Sequence, residues 1–162
     1  MRTRNQEVDG FKKCGMGGCK LCSFTGEGTN RGGIVKSVRI SNTGEDYIIR
    51  GKMNCKSSNL LYIITCRKCD GASPDVAQYG GETGQEAVKR LTEHYGTATQ
   101  ACHVNTNKPV GQHFRLPGHS MADCVYTPVE KINSNNVFVR KVRERRMINN
   151  LRLIDHGMNK KL

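Results

Sequence analysis

Asn59-Leu-Leu-Tyr-Ile-Ile-Thr-Cys66 and, one loop later, Gln78-Tyr-Gly-Gly-Glu-Thr83 are the two segments that decide the fold. The first is a short unbroken apolar run, the pattern of a central strand covered on both faces. The second has the length of a strand but carries Gly80 and Gly81 in its middle. Glycine inside a strand weakens it unless something has to approach the backbone closely, as a phosphodiester would. Each segment presents one tyrosine, Tyr62 and Tyr79. The loop between them holds Cys69, Gly71 and Pro74.

Downstream, Val88, Leu91, Tyr95 and Ala98 recur at helical spacing, which predicts a helix from Glu86 to about Gln100. Arg90 and His94 sit one turn apart on it and share a face. Residues 101–122 show no periodicity and contain Pro109 and Pro117. Cys124–Ile132 reads as a third strand, and Pro128 places it, or that part of it, at a sheet edge. Ser134-Asn-Asn is N-cap chemistry for a long basic helix expected to run to about Asp155. Within it, Glu144 falls in register with Ile148 and Leu151. A carboxylate on an apolar stripe is costly unless it is paired or holds a cation. A salt bridge to a neighbouring arginine accounts for it equally well.

Upstream, Cys14-Gly-Met-Gly-Gly-Cys19-Lys-Leu-Cys22 is a Gly-rich knuckle. Ile34–Ile40 and Tyr47–Arg50 are β-rich, and turn chemistry between them predicts a hairpin. Cys55 follows. Residues 1–13 are charged and patternless and are expected to be a frayed end. The expected fold class is α/β (α+β): a small three-stranded antiparallel sheet flanked by helices over 58–162. An N-terminal segment, 1–57, carries a Cys-rich zinc-binding β-hairpin.

The 162 residues include 26 Lys and Arg against 14 Asp and Glu, a formal charge of +12 that suits a polyanionic partner. No apolar run approaches the ~20 residues of a membrane span, so no membrane partner is expected. The polar opening shows no secretory signal. The 8 cysteines are therefore expected in a reducing compartment, where close spacing points to metal rather than disulfides. Cys14, Cys19, Cys22 and Cys55 supply four soft ligands for tetrahedral Zn²⁺. Cys66, Cys69, His113 and His119 form a second set that would clip the loop to the 101–122 segment. Four protein ligands each imply structural zinc, about two ions per chain. The alternatives are free thiols or a disulfide for the first set, and surface histidines beside a buried cysteine pair for the second. Cys102 and Cys124 read as packing residues.

Taken in order, these residues resemble the GIY-YIG endonuclease superfamily. Leu61-Tyr62-Ile63 and Tyr79-Gly80-Gly81 look like its two signature tripeptides, and Arg90, His94, Glu144 and Asn159 follow in the same sequence. The cysteine pair between the tripeptides and the later histidine pair are similar to the endonuclease domain of Penelope-like retroelements. So are Asn54-Cys-Lys-Ser and His113-Phe-Arg-Leu-Pro-Gly-His119-Ser. The resemblance spans roughly residues 14–160. It departs at Leu61, where the leading glycine would stand, and at Gly80, where an isoleucine would.

The resemblance implies a DNA endonuclease of retroelement origin that nicks a phosphodiester with one divalent cation, Mg²⁺ or Mn²⁺, held by Glu144. Arg90 would donate to the transition state, and Tyr62 would orient or deprotonate the attacking water. Tyr79 and His94 would position phosphate or relay the proton. Gly81 would let the backbone approach, and Asn159 would buttress the carboxylate or phosphate. Arg140, Lys141, Arg143, Arg145 and Arg146 would grip flanking phosphates. The implied partners are DNA and a fused or associated reverse transcriptase, with a transient dimer on DNA. A nuclear location follows from that substrate alone. The competing readings are a catalytically inactive zinc-stabilised nucleic-acid-binding module and a structure-specific repair nuclease of the same superfamily.

Overall fold

A computed structural model of the chain describes residues 8–26, 33–73 and 76–160. These form β1 (Gly10–Lys12), β2 (Ile34–Val35), β3 (Ser37–Arg39), β4 (Asp46–Ile48), β5 (Lys52–Asn54), β6 (Leu60–Cys66) and β7 (Gln78–Thr83). After them come α1 (Ala87–Thr99), α2 (Pro109–Phe114), β8 (Cys124–Lys131) and α3 (Val137–Asn150).

The apolar run becomes β6, the middle strand of an antiparallel sheet in the order β7-β6-β8. Leu60 to Ile64 are fully buried, as an apolar run without alternation requires. The register pairs Tyr62 with Gly81 and Ile63 with Gly80. Strand alternation then puts Tyr62 and Gly81 on one face and Ile63 and Gly80 on the other. Helix α1 covers the first face, where His94 meets Tyr62. Helix α3 covers the second: a Cβ on Gly80 would lie 2.9 Å from Met147 Cε and 3.0 Å from Leu153 Cδ1.

Strand β8 is an edge of this sheet, as Pro128 requires, and its register shifts between the partners of Leu61 and Tyr62. The shift is a bulge at Val129, directly after Pro128, the residue with no amide to offer. The outer side of β8 is closed by the N-terminal segment. Tyr126 N–H donates to Phe24 O at 2.7 Å, Arg50 N–H to Val129 O at 2.9 Å and Lys131 N–H to Arg50 O at 2.9 Å. An edge that would otherwise offer unpaired backbone is thereby covered.

The mixed α/β architecture and the antiparallel sheet agree with expectation, and three boundaries do not. Residues 10–12 form β1, antiparallel to β2 and parallel to β5, rather than part of a frayed end. Phe11, fully buried, anchors it in the core that Leu21 and Met53 share with β6. Residues 1–7 lie outside the described residues. The stretch 101–122 contains α2, opened by Pro109, whose missing amide costs nothing at a first helical position. A six-residue helix is too short for a period to be read from it. Helix α3 is capped by Asn136, whose side chain accepts from Phe138 N–H at 2.9 Å. It ends at Asn150 rather than near Asp155, and Arg152 takes a left-handed backbone (φ 55°) just beyond. The predicted hairpin is β3–β4. No helix among the described residues is long and apolar enough to cross a membrane.

Candidate metal centres and a tyrosine–arginine–glutamate site

Parallel pairing of β1 with β5 brings the residues after each strand together, so Cys14 meets Cys55. Gly15 (φ 68°) and Gly18 (φ 78°) turn the knuckle back so that Cys19 and Cys22 join them. The Cys14–Cys22 and Cys22–Cys55 Sγ separations are both 3.6 Å. A zinc tetrahedron with ~2.3 Å bonds has sulfur–sulfur edges of about 3.8 Å, so the donor set fits that ion. The Met16 backbone, first, and the neighbouring thiols hold Cys14 down to about 7, near the range where thiolate forms.

The second group joins the end of β6 to α2. Cys69 Sγ lies 3.6 Å from His113 Nε2 and 3.3 Å from His119 Nε2, and Cys66 completes the set within 4.8 Å. His119 Nδ1 lies 3.2 Å from Pro117 O. Donation there leaves Nε2 as the ligand atom, the arrangement metal-bound imidazoles favour. Burial pushes the Cys69 thiol up to about 11, so a metal must expel its proton. Both groups can hold zinc. Cys124 is buried opposite Cys66 and Cys102 is exposed, and neither belongs to a group.

Tyr62, from the middle strand, points at α1. Its hydroxyl lies 2.7 Å from His94 Nε2 and accepts from Arg90 Nε at 3.2 Å. A guanidinium can only donate, so the Tyr62 oxygen accepts from Arg90, and the direction of its hydrogen bond with His94 depends on the imidazole tautomer. Burial, then Arg90 and Lys108, lower His94 to about 3 and keep it neutral. The Arg90 charge is opposed by burial, but Tyr62 and Glu93 outweigh that and raise its pKa. Glu93 receives its Nη1 at 2.6 Å.

Two expectations change here. Tyr62 is fully buried, stacked at 4.6 Å on Tyr126, so its phenol cannot meet a water molecule directly. Tyr79 is only half-buried, 6.3 Å from Tyr62 and 5.8 Å from His94 between ring centroids. Burial raises its pKa. The close approach that demands glycine in β7 is internal: a Cβ on Gly81 would stand 2.4 Å from Tyr62 Cζ and Oη. Gly80, likewise, makes room for α3 rather than for a phosphate.

His94 gives a pH signature. Its folded pKa lies below its ordinary 6.5, so unfolded chains bind more protons between about 3 and 6.5. Its contribution is complete above 6.5 and drains away as pH falls through that window, by on the order of 3 kcal/mol at pH 4. Urea melts from pH 7 to 4 should show this loss in the parent, and a visibly shallower loss in His94→Gln.

Glu144 lies on α3 in a row with Arg140 and Met147, both buried. Although α3 packs on the face away from α1, the Glu144 carboxylate is electrostatically linked to Tyr62, Tyr79 and Arg90. Lys141, which pairs with Glu82 of β7 and lies 3.8 Å from Glu144, marks its place beside that strand. Burial, partly offset by Lys141 and reinforced by Glu82, raises its pKa. Its Oε2 is buried without a hydrogen bond. The nearest ionic partner of that oxygen is Lys141 Nζ, at 3.8 Å, which leaves it one donor to which a cation could bind.

Asn159 takes another place. Its side chain accepts from Gly80 N–H and donates to Gly80 O, both at 2.9 Å, closing the free edge of β7 as a strand would. It touches neither Glu144 nor the tyrosines among the described hydrogen bonds. Asn159→Ala should cost about 1–2 kcal/mol in a urea melt with nucleic-acid affinity unchanged. The basic run also divides. Arg140 is turned inward onto Glu82, Asn59 and the Asn135 carbonyl, and Arg143 pairs with Glu130. The Arg140 guanidinium is buried and not open to a phosphate, Arg143 keeps an exposed face, and Lys141, Arg145 and Arg146 are exposed.

Sequence reasoning missed Glu82. Its position just after Gly81 put it in view, and its parity with Gly80 turns it toward α3, where Arg140 and Lys141 meet it. Tyr126 carried no signal beyond its place in a strand.

The fold and its side-chain groups define a small mixed α/β protein with two four-ligand sets able to bind metal. No family model, no curated protein and no solved structure matches the chain.

Proposed function

We propose that the chain is a metal-dependent DNA endonuclease of the GIY-YIG type, with two zinc ions holding the fold and one divalent cation serving the reaction. The observation that carries this reading is the meeting of Arg90, Tyr62, Tyr79 and His94 on one sheet face, with α3 bringing Glu144, one of whose oxygens has no hydrogen bond, beside Lys141 and Glu82 of β7. The formal charge of +12 supports a polyanionic substrate.

In this reading Glu144 holds the cation, Mg²⁺ or Mn²⁺, which when bound stabilises charge on the phosphate and leaving oxygen. Arg90, positioned by Tyr62 and Glu93, presents its remaining donors to a phosphate oxygen. Tyr79, the accessible phenol, orients the attacking water. Tyr62 and neutral His94 form a buried hydrogen-bonded brace that fixes Arg90, rather than acting on the water. Lys141, Arg145 and Arg146 meet flanking phosphates, a contact indifferent to base sequence.

Supercoiled plasmid incubated with Mg²⁺ tests the reading. The parent should nick it, and Arg90→Ala should nick about 10²–10³-fold more slowly, as loss of one transition-state donor does. Equal rates would remove Arg90 from the reaction. A parent that retards DNA on gels yet never nicks it would favour a zinc-stabilised binding module.

A further inference from the structure

Lys141 and Glu82 stand beside the proposed metal carboxylate. Lys141 Nζ is 3.1 Å from Glu82 Oε1 and 3.8 Å from Glu144 Oε2. The first is a close ion pair, and the second is too long for a hydrogen bond. Glu144 Oε2 is therefore buried with an ammonium as its nearest ionic partner but no hydrogen bond. The carboxylates are held in place: Glu82 is 11% exposed, Glu144 17%, and Arg140 Nε grips Glu82 Oε2 at 2.8 Å from the other side. The Lys141 side chain, by contrast, is 60% exposed.

We infer that Lys141 is the resident counter-ion of the Glu82–Glu144 pair, and that it gives up Glu144 to the divalent cation and transfers to a substrate phosphate. The inference rests on reading Glu144 as the metal carboxylate. Lysine suits the task because its ammonium is a compact charge on a flexible stem, able to leave without disturbing α3. Arg140 could not substitute, since Glu82 Oε2, Asn59 Oδ1 and the Asn135 carbonyl already hold its guanidinium. When Lys141 leaves, Glu82 stays neutralised by Arg140, and only Glu144 is exposed to the incoming ion. Metal and nucleic acid then load cooperatively. The ion frees Lys141 for phosphate, and the phosphate clears Glu144 for the ion, a reciprocal coupling.

Mn²⁺ binding to the zinc-loaded protein, followed by electron paramagnetic resonance, tests the first half. Lys141→Met should bind Mn²⁺ roughly three- to tenfold more tightly than the parent. Lys36→Met, which removes an exposed cation of the N-terminal segment, should change affinity less than about twofold. Unchanged or weaker Mn²⁺ binding by Lys141→Met overturns the inference. DNA affinity measured across a salt series with and without Ca²⁺ tests the second half. With Ca²⁺, the log–log slope of Lys141→Met should be smaller than the parent's by about one, and without Ca²⁺ the two should coincide. Coincident slopes in both conditions overturn the transfer. Glu144→Gln separates this inference from the reading beneath it. If that variant binds Mn²⁺ like the parent, the assignment of Glu144 fails. If it loses binding while Lys141→Met matches the parent, only the counter-ion inference fails.

Discussion

Glu144→Gln should abolish Mg²⁺-dependent nicking, by about 10³-fold or more, while leaving the melting temperature within a few degrees of the parent. The change keeps the size of the side chain and removes its charge. A single carboxylate holding a hard cation cannot be replaced by a neutral amide without losing most of the ion's affinity. The expected indifference of stability follows from the burial of Glu144. Its pKa is raised chiefly by burial, so the folded protein already disfavours the charge, and deleting it relieves that cost while forfeiting a weak, 3.8 Å pairing with Lys141. The two readouts together separate lost chemistry from lost folding. Nicking by Glu144→Gln within about threefold of the parent would remove Glu144 from the reaction and leave the metal reading without its ligand.

Cys69→Ser should lower the zinc content from two ions per chain to one and cost on the order of 3–5 kcal/mol or more. Cys69 touches both histidines of its group, so its loss frees α2 and the loop after it from the end of β6. The stretch is otherwise held by α2 packing on α1, with Val110, Phe114 and Met121 buried, and by hydrogen bonds at its surface. Arg115 reaches the Thr97 and Gln100 carbonyls, and Lys68 reaches Gly118 O. Hydrogen exchange should therefore speed up first across residues 101–122, before β6 and β8 open. Cys124→Ser is the matched control: it lies across from Cys66 on the neighbouring strand but outside the ligand set. It should retain two zinc ions by elemental analysis. If Cys69→Ser also retained two, the second site would not be a zinc site.

Much of the architecture was legible because it rests on local pattern. The unbroken apolar run at 60–66 requires a covered central strand, and the 87–99 periodicity requires a helix with one buried stripe. Pro128 could be tolerated only at an edge. The cysteine and histidine spacings named both ligand sets before their convergence was known, since soft donors in short clusters have few other uses in a small core. Phe11 and α2 escaped for the opposite reason. A three-residue strand and a six-residue helix are shorter than the periods by which such elements are recognised.

Composition and spacing determined which residues were available for chemistry: two phenols, a guanidinium, an imidazole and a carboxylate in order along the chain. Only the tertiary structure decided what each can do. Register, not sequence, put Gly81 beneath the Tyr62 ring and buried that phenol, leaving Tyr79 as the accessible one. Packing of α3 turned Arg140 inward and left Lys141 beside Glu144. The physical reason is that burial and pairing depend on which distant segment lies opposite, and a strand's alternation or a helix's period carries no record of its partner.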